Sequence, residues 1–209
     1  MINKGLNSNS VEMAPATIHL KIANDVAEHL GINVSGQLLL GAIAPDAVFA
    51  RVNYTTEDIK DAHYRQESLK KSWSLAAKEF MSSDNLFLKG YCIHIMTDLL
   101  WISSILAELA KQYGDEFSKN TLIEDMNYVE KWLYRQKDYL FLWNGILGTK
   151  INNINYYVSP GEVELFKSQK SQSIKYDLVA DGMKYLTLED IDKFIKNSIK
   201  RIANTLKNR

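Results

Sequence analysis

His94 and Asp98 lie four residues apart in the most apolar stretch of the chain. On a helix that spacing stacks them on one face, one turn apart. Unpaired, either group is costly to bury. Two arrangements satisfy them. One is a mutual His–Asp hydrogen bond in the core. The other is a shared metal ion, for which HxxxD sets a nitrogen and an oxygen donor side by side. His19 shares a helical face with Ile22, Ala23, Val26 and Leu30, Asp46 follows Pro45 in a turn, and His63 precedes Glu67 by four residues. Singly, these read as a core histidine, a turn residue and a surface pair. His29 stands beside Gly31, where a helix C-terminus favours cationic side chains, and is read as structural. Together His19, Asp46, His63, His94 and Asp98 supply five donors. Imidazole with carboxylate suits zinc, and also iron, manganese or nickel. An ion with an open position can ionise water and clamp a phosphate.

Helices must position these residues. The first is expected over 16–30, after Pro15 and before Gly31. A short apolar run, 37–44, ends in Pro45-Asp46, which puts Asp46 in a turn just past that element. Thr55 or Thr56 caps a helical pattern that continues in one or two pieces to Met81. An apolar helix follows over 86–112, then helices over 118–135 and 139–147. Residues 148–182, with Pro160-Gly161 at their centre, read as a long loop with one helical turn at 163–168. Thr187-Leu-Glu-Asp190 resembles a capping box opening a last helix, 187–206, and residues 1–13 read as loose. The expected fold is all-α, a single-domain multi-helix bundle over 1–209, around a metal site.

The 209 residues are 46% apolar and 24% charged, which supports a sizeable core and excludes disorder for most of the chain. Lys+Arg and Asp+Glu number 25 each, so no global basic field gathers nucleic acid. The single cysteine, Cys92, excludes an internal disulfide framework and a Cys-rich zinc finger. No apolar leader opens the chain, and a cytoplasmic location is the default expectation. The stretch 86–110 is long enough to span a bilayer but carries Lys89, His94, Asp98 and Glu108, so it reads as a buried helix.

Four pieces occur in order: Pro15-Ala-Thr-Ile-His19-Leu-Lys-Ile-Ala23, Leu39-Leu-Gly41-Ala-Ile-Ala-Pro45-Asp46, His63, and Lys89-Gly90-Tyr91-Cys-Ile-His94-Ile-Met-Thr-Asp98. This order resembles the zinc-dependent phospholipase C family, a helical fold shared with single-strand-specific nucleases, over roughly the first half of the chain. The resemblance implies that His19, Asp46, His63, His94 and Asp98 are metal ligands and that the reaction is hydrolysis of a phosphoester. No tryptophan precedes His19 and no histidine follows His94, so the family's N-terminal ligand and later His-x-x-x-Glu group are absent. One or two zinc ions are therefore expected rather than three. One site would use Asp46, His63, His94 and Asp98, and a second would sit at His19, bridged by Asp98. Glu67 is a candidate replacement ligand.

In this reading Asp46 is the catalytic residue, orienting or deprotonating the attacking water. Tyr54, Tyr64 and Trp101 line the pocket mouth. The partner is a phosphate-containing small molecule or a phospholipid. Two alternatives stand beside it. One is an HD-domain-like nucleotide phosphohydrolase, whose hallmark adjacent His-Asp pair is absent here. The other is a non-catalytic helical protein that binds metal or lipid. The last helix sets Ile191, Phe194, Ile195, Ile199, Ile202 and Leu206 opposite Lys193, Lys196, Lys200, Arg201 and Lys207. Such a stripe either packs on the bundle or lies on a membrane surface.

Overall fold

The structure, a computed structural model, describes residues 13–151, 157–173 and 182–207. Among these are ten α-helices and no strand, an all-α fold. They are α1 (Ala16–His29), α2 (Gly36–Gly41), α3 (Thr56–Ala62), α4 (Leu69–Ser82), α5 (Leu86–Trp101), α6 (Ala107–Tyr113), α7 (Lys119–Tyr134), α8 (Lys137–Leu147), α9 (Pro160–Ser173) and α10 (Leu188–Lys207). Residues Pro45–Ala50 form a 3-10 helix between α2 and α3.

The axis of the bundle is α5, started by the Asn85 side chain, which accepts from the Phe87 and Leu88 amides. From Gly90 to Trp101 every residue is buried. A helix apolar on all faces is satisfied only by enclosure. Helices α1, α2, α4 and α10 enclose it. The apolar run beyond Trp101 continues in one helix to Glu116, as expected, but with a change in its hydrogen bonding. A π-turn over Ile102–Leu106 joins α5 to α6, and the Ser103 and Ser104 hydroxyls donate to the Leu99 and Leu100 carbonyls there. Serines that bond back to the preceding turn compete with regular helix hydrogen bonding.

α2 crosses α5 at backbone contact. A Cβ on Gly41 would stand 1.9 Å from the Phe87 carbonyl oxygen, and one on Gly90 would stand 1.9 Å from that of Leu38. Only glycine permits so close an approach. The crossing brings the Ala42 carbonyl within 2.8 Å of His94 Nδ1 and carries the Pro45–Ala50 turn to the middle of α5.

The other elements follow local signals. Thr55 and Asp58 close a capping box on α3. The helical pattern from 56 to 81 is two helices, because Tyr64 takes a left-handed φ of 50° and turns the chain. α1 ends at His29, before Gly31 with φ 66°. Thr187 and Asp190 cap α10 as a box. Buried Asp125 on α7 accepts three backbone N–H groups, from Lys184, Tyr185 and Leu186, and so fixes the approach to α10. The apolar stripe of α10 is buried and its lysines face outward. Phe194 meets Trp101 edge-on with ring centroids 5.2 Å apart.

Two sequence expectations change. Residues 148–182 are not a loop with one turn, because α9 runs for 14 residues from Pro160. The rest of that interval, 152–156 and 174–181, lies outside the described residues, as does 1–12 of the N-terminal stretch. Met13, read as loose, is 3% exposed and packed inside.

Gly90→Ala should destabilise the fold by about 3 kcal/mol, the upper range for overpacking, since α2 and α5 must move apart. Gly145→Ala is the control. Its nearest neighbour is a leucine methyl at 3.6 Å, so ordinary helix propensity should leave it neutral or up to about 1 kcal/mol more stable. Urea unfolding of both variants measures the difference.

Candidate metal centre

His19 occupies the buried face of α1. Asp46 opens the 3-10 turn after Pro45, so it stands inside a helical turn rather than in a loop beyond one. His63 ends α3, where its Nδ1 donates to the Ile59 carbonyl at 3.0 Å. The Tyr91 hydroxyl donates to the Ala62 carbonyl at 2.5 Å, which pins that helix end to α5. α5 supplies His94 and Asp98 one turn apart.

All five side chains converge. His19 Nε2 lies 3.2 Å from Asp98 Oδ1, and His94 Nε2 lies 3.2 Å from Asp98 Oδ2. His63 Nε2 is 3.6 Å from Asp98 Oδ2 and 3.4 Å from Asp46 Oδ1, and His94 Nε2 is 3.7 Å from Asp46 Oδ1. The His19 and His94 rings stack with centroids 3.7 Å apart. Every member is buried, Asp46 least so at 6% exposure. The donors form two triads, His19–His94–Asp98 and Asp46–His63–His94, which share His94.

Hydrogen bonding decides what these atoms can do. A carbonyl only accepts, so Ala42 and Ile59 fix the proton of His94 and His63 on Nδ1. In the neutral ring Nε2 then carries a lone pair, the tautomer a metal ligand needs. Among the described residues His94 Nε2, Asp98 Oδ2 and both nitrogens of His19 lack any hydrogen-bond partner. They are close to one another without being aimed at one another. For tetrahedral bonds of about 2.0–2.2 Å, neighbouring donors stand about 3.3–3.6 Å apart. The His–Asp separations of 3.2–3.7 Å are compatible with donors that could hold a cation. Burial pushes the carboxyls of Asp46 and Asp98 upward, but the surrounding imidazoles, His94 foremost, more than offset it. Both acids are held below the usual carboxylate range, Asp98 well below it. That lowering comes from imidazoles in their positively charged form, whereas a metal would be held by the neutral form.

Glu67 does not join the cluster. The left-handed turn at Tyr64 ends α3 before it, and Glu67 is exposed and paired with Lys71. The aromatic rim also differs. Trp101 is fully buried behind α5, and Tyr64 packs between Tyr91 and Tyr157. Tyr54 meets Phe49 edge-on, and the Phe49 ring lies 6.5 Å from that of His63.

A cavity of about 110 Å³ opens beside Asp46, walled by α1, α7 and α9. α9 lies on the Pro45–Ala50 turn. Its start is a capping box: the Ser159 amide donates to Glu162 and the Glu162 amide to the Ser159 hydroxyl. Arg51 ties it down, its Nε donating to Glu162 at 2.6 Å. From this wall Lys170 reaches buried Glu130 of α7 at 2.7 Å. Burial disfavours the Lys170 ammonium, but Glu130 beside it and Asp46 beyond hold its pKa above the ordinary lysine value. Neither Glu130 nor Lys170 stands out in the sequence. Ser159-Pro-Gly-Glu162 is the signal that could have revealed their wall, a box with proline at the first helical position.

No family model, curated protein or solved structure matches this chain.

Burial raises the Glu162 carboxyl, but bonds from Arg51 and Ser159 outweigh it and hold the group below its ordinary range. A depressed folded pKa contributes stability that is full above the unfolded value, about pH 4.3, and is lost as pH falls through the folded one. Glu162→Gln should therefore lower Tm at pH 7, and the gap to wild type should shrink below about pH 4. Thermal melts across pH 3–8 read it.

Proposed function

We propose that the chain is a metal-dependent phosphoester hydrolase of phospholipase C-like type. The observation that carries this reading is the meeting of three imidazole Nε2 atoms and two carboxylates inside an apolar core, with neighbouring donors as close as 3.2 Å and several lacking hydrogen bonds. Zinc suits three imidazoles with two carboxylates best, and iron or manganese is the alternative. The donors close into two triads that share His94, His19–His94–Asp98 and Asp46–His63–His94, and since each Nε2 can bind one ion, the reading is a single ion held by His94 and the rest of one triad. When bound, the ion supplies a water acidic enough to ionise near neutrality and positive charge for phosphate oxygens.

The chain's own residues do the rest. With their Nδ1 protons on the Ile59 and Ala42 carbonyls, His63 and His94 turn Nε2 to the acids: His94 Nε2 has no hydrogen-bond partner among the described residues, and His63 Nε2 lies 3.4 Å from Asp46 Oδ1. Asp98 is oriented by the Ala14 amide, which donates to Oδ1 at 3.0 Å. Asp46 belongs to the cluster and also lines the cavity, so it is the carboxylate able to orient a nucleophilic water and accept its proton. The same residue favours catalysis over a closed structural site, whose ligand shell leaves no member facing open volume.

Protein purified without added metal should hold close to one zinc-type ion per chain by elemental mass spectrometry. It should also hydrolyse bis-p-nitrophenyl phosphate. His94→Ala and Asp98→Ala should lose both. Tyr91→Phe removes a support one step behind His63 and should weaken metal binding about tenfold, the scale for such outer contacts. Full metal content in either alanine variant refutes the assignment.

A further inference from the structure

The cavity beside Asp46 has a second polar wall that the reaction does not use. Glu130 is 4% exposed, and its Oε2 accepts from Lys170 Nζ at 2.7 Å. Its other oxygen, Oε1, has no hydrogen-bond partner among the described residues. An unsatisfied buried carboxylate oxygen is costly, and an ammonium has three donors, of which Glu130 takes one. The pair therefore sets a strong acceptor, Oε1, enclosed in this structure, and spare ammonium donors side by side on two residues that line the cavity.

We propose that Glu130 and Lys170 form the subsite for the hydroxyl-bearing part of a small polyol phosphate. This rests on the phosphoesterase reading of the neighbouring centre. Glu130 Oε1 accepts a hydroxyl proton, and Lys170 Nζ donates to the adjacent hydroxyl or phosphate oxygen. A ligand ammonium is repelled by Lys170, and a ligand carboxylate by Glu130, so a neutral hydroxyl fits the pair best. Phe49, Met126 and Phe166 supply apolar contact for a short carbon skeleton. A cavity of about 110 Å³ has room for a small polyol.

Calorimetric titration of the full chain as purified, with its metal content recorded, tests this. The probes are glycerol 3-phosphate and ethyl phosphate, which differ by two hydroxyls. Wild type should bind glycerol 3-phosphate at least tenfold more tightly, and folded Glu130→Met should reduce that ratio to within twofold. A wild-type ratio within twofold overturns the subsite, as does a tenfold ratio that persists in Glu130→Met. Should the variant fail to fold, the wild-type ratio decides. Metal and hydrolysis with no ratio sink the subsite alone. A retained ratio without metal sinks the hydrolase reading and leaves the subsite standing.

Discussion

Two backbone carbonyls govern this molecule. Ala42 and Ile59 can only accept, so they assign the protons of His94 and His63 to Nδ1 and turn both Nε2 atoms toward buried carboxylates. His94 Nε2 then faces Asp98 Oδ2 at 3.2 Å without a hydrogen bond. A lone pair against a carboxylate oxygen is repulsive, and an imidazolium would aim its proton at that oxygen. A cation among the donors satisfies all of them at once. Buried charge is costly unless paired or metal-bound, and the arrangement here is compatible with a metal site.

The bundle is arranged to produce this geometry. Gly41 and Gly90 let α2 and α5 touch along the backbone, and that contact delivers the Ala42 carbonyl to His94 and Asp46 to the same place. Tyr91, one residue on, fixes the end of α3 and thus His63. α1 brings His19 alongside His94 and the Ala14 amide onto Asp98. The second half of the chain builds the approach: α7 contributes Glu130, and α9, latched by Arg51 to Glu162, contributes Lys170. The five donors thus come from the first half of the chain, and both halves wall the cavity beside them.

Periodicity and spacing carried the first half well. The five donors were grouped by the order of motifs that resembles a known family, whereas the apolar run of α5 and the capping box of α10 were legible because each depends on local pattern. Four features were not. α9 was hidden because Pro160-Gly161 reads as a turn, although Ser159 and Glu162 cap a helix across it. Glu67 was misplaced because nothing in the sequence marks Tyr64 for a left-handed φ. Trp101 faces Phe194 rather than the cavity, since an all-apolar helix gives no clue to which side is which. The Glu130–Lys170 pair joins residues 40 apart, and only the tertiary fold brings them together.

Anomalous diffraction from crystals of protein purified without added metal tests the central claim most directly. The account predicts one strong peak at the metal edge, about 2.0–2.2 Å from Nε2 of His94 and from the other two donors of one triad, His19 and Asp98 or His63 and Asp46. Density without such a peak, with the imidazoles hydrogen-bonded among the acids as an ordinary polar core, would contradict it.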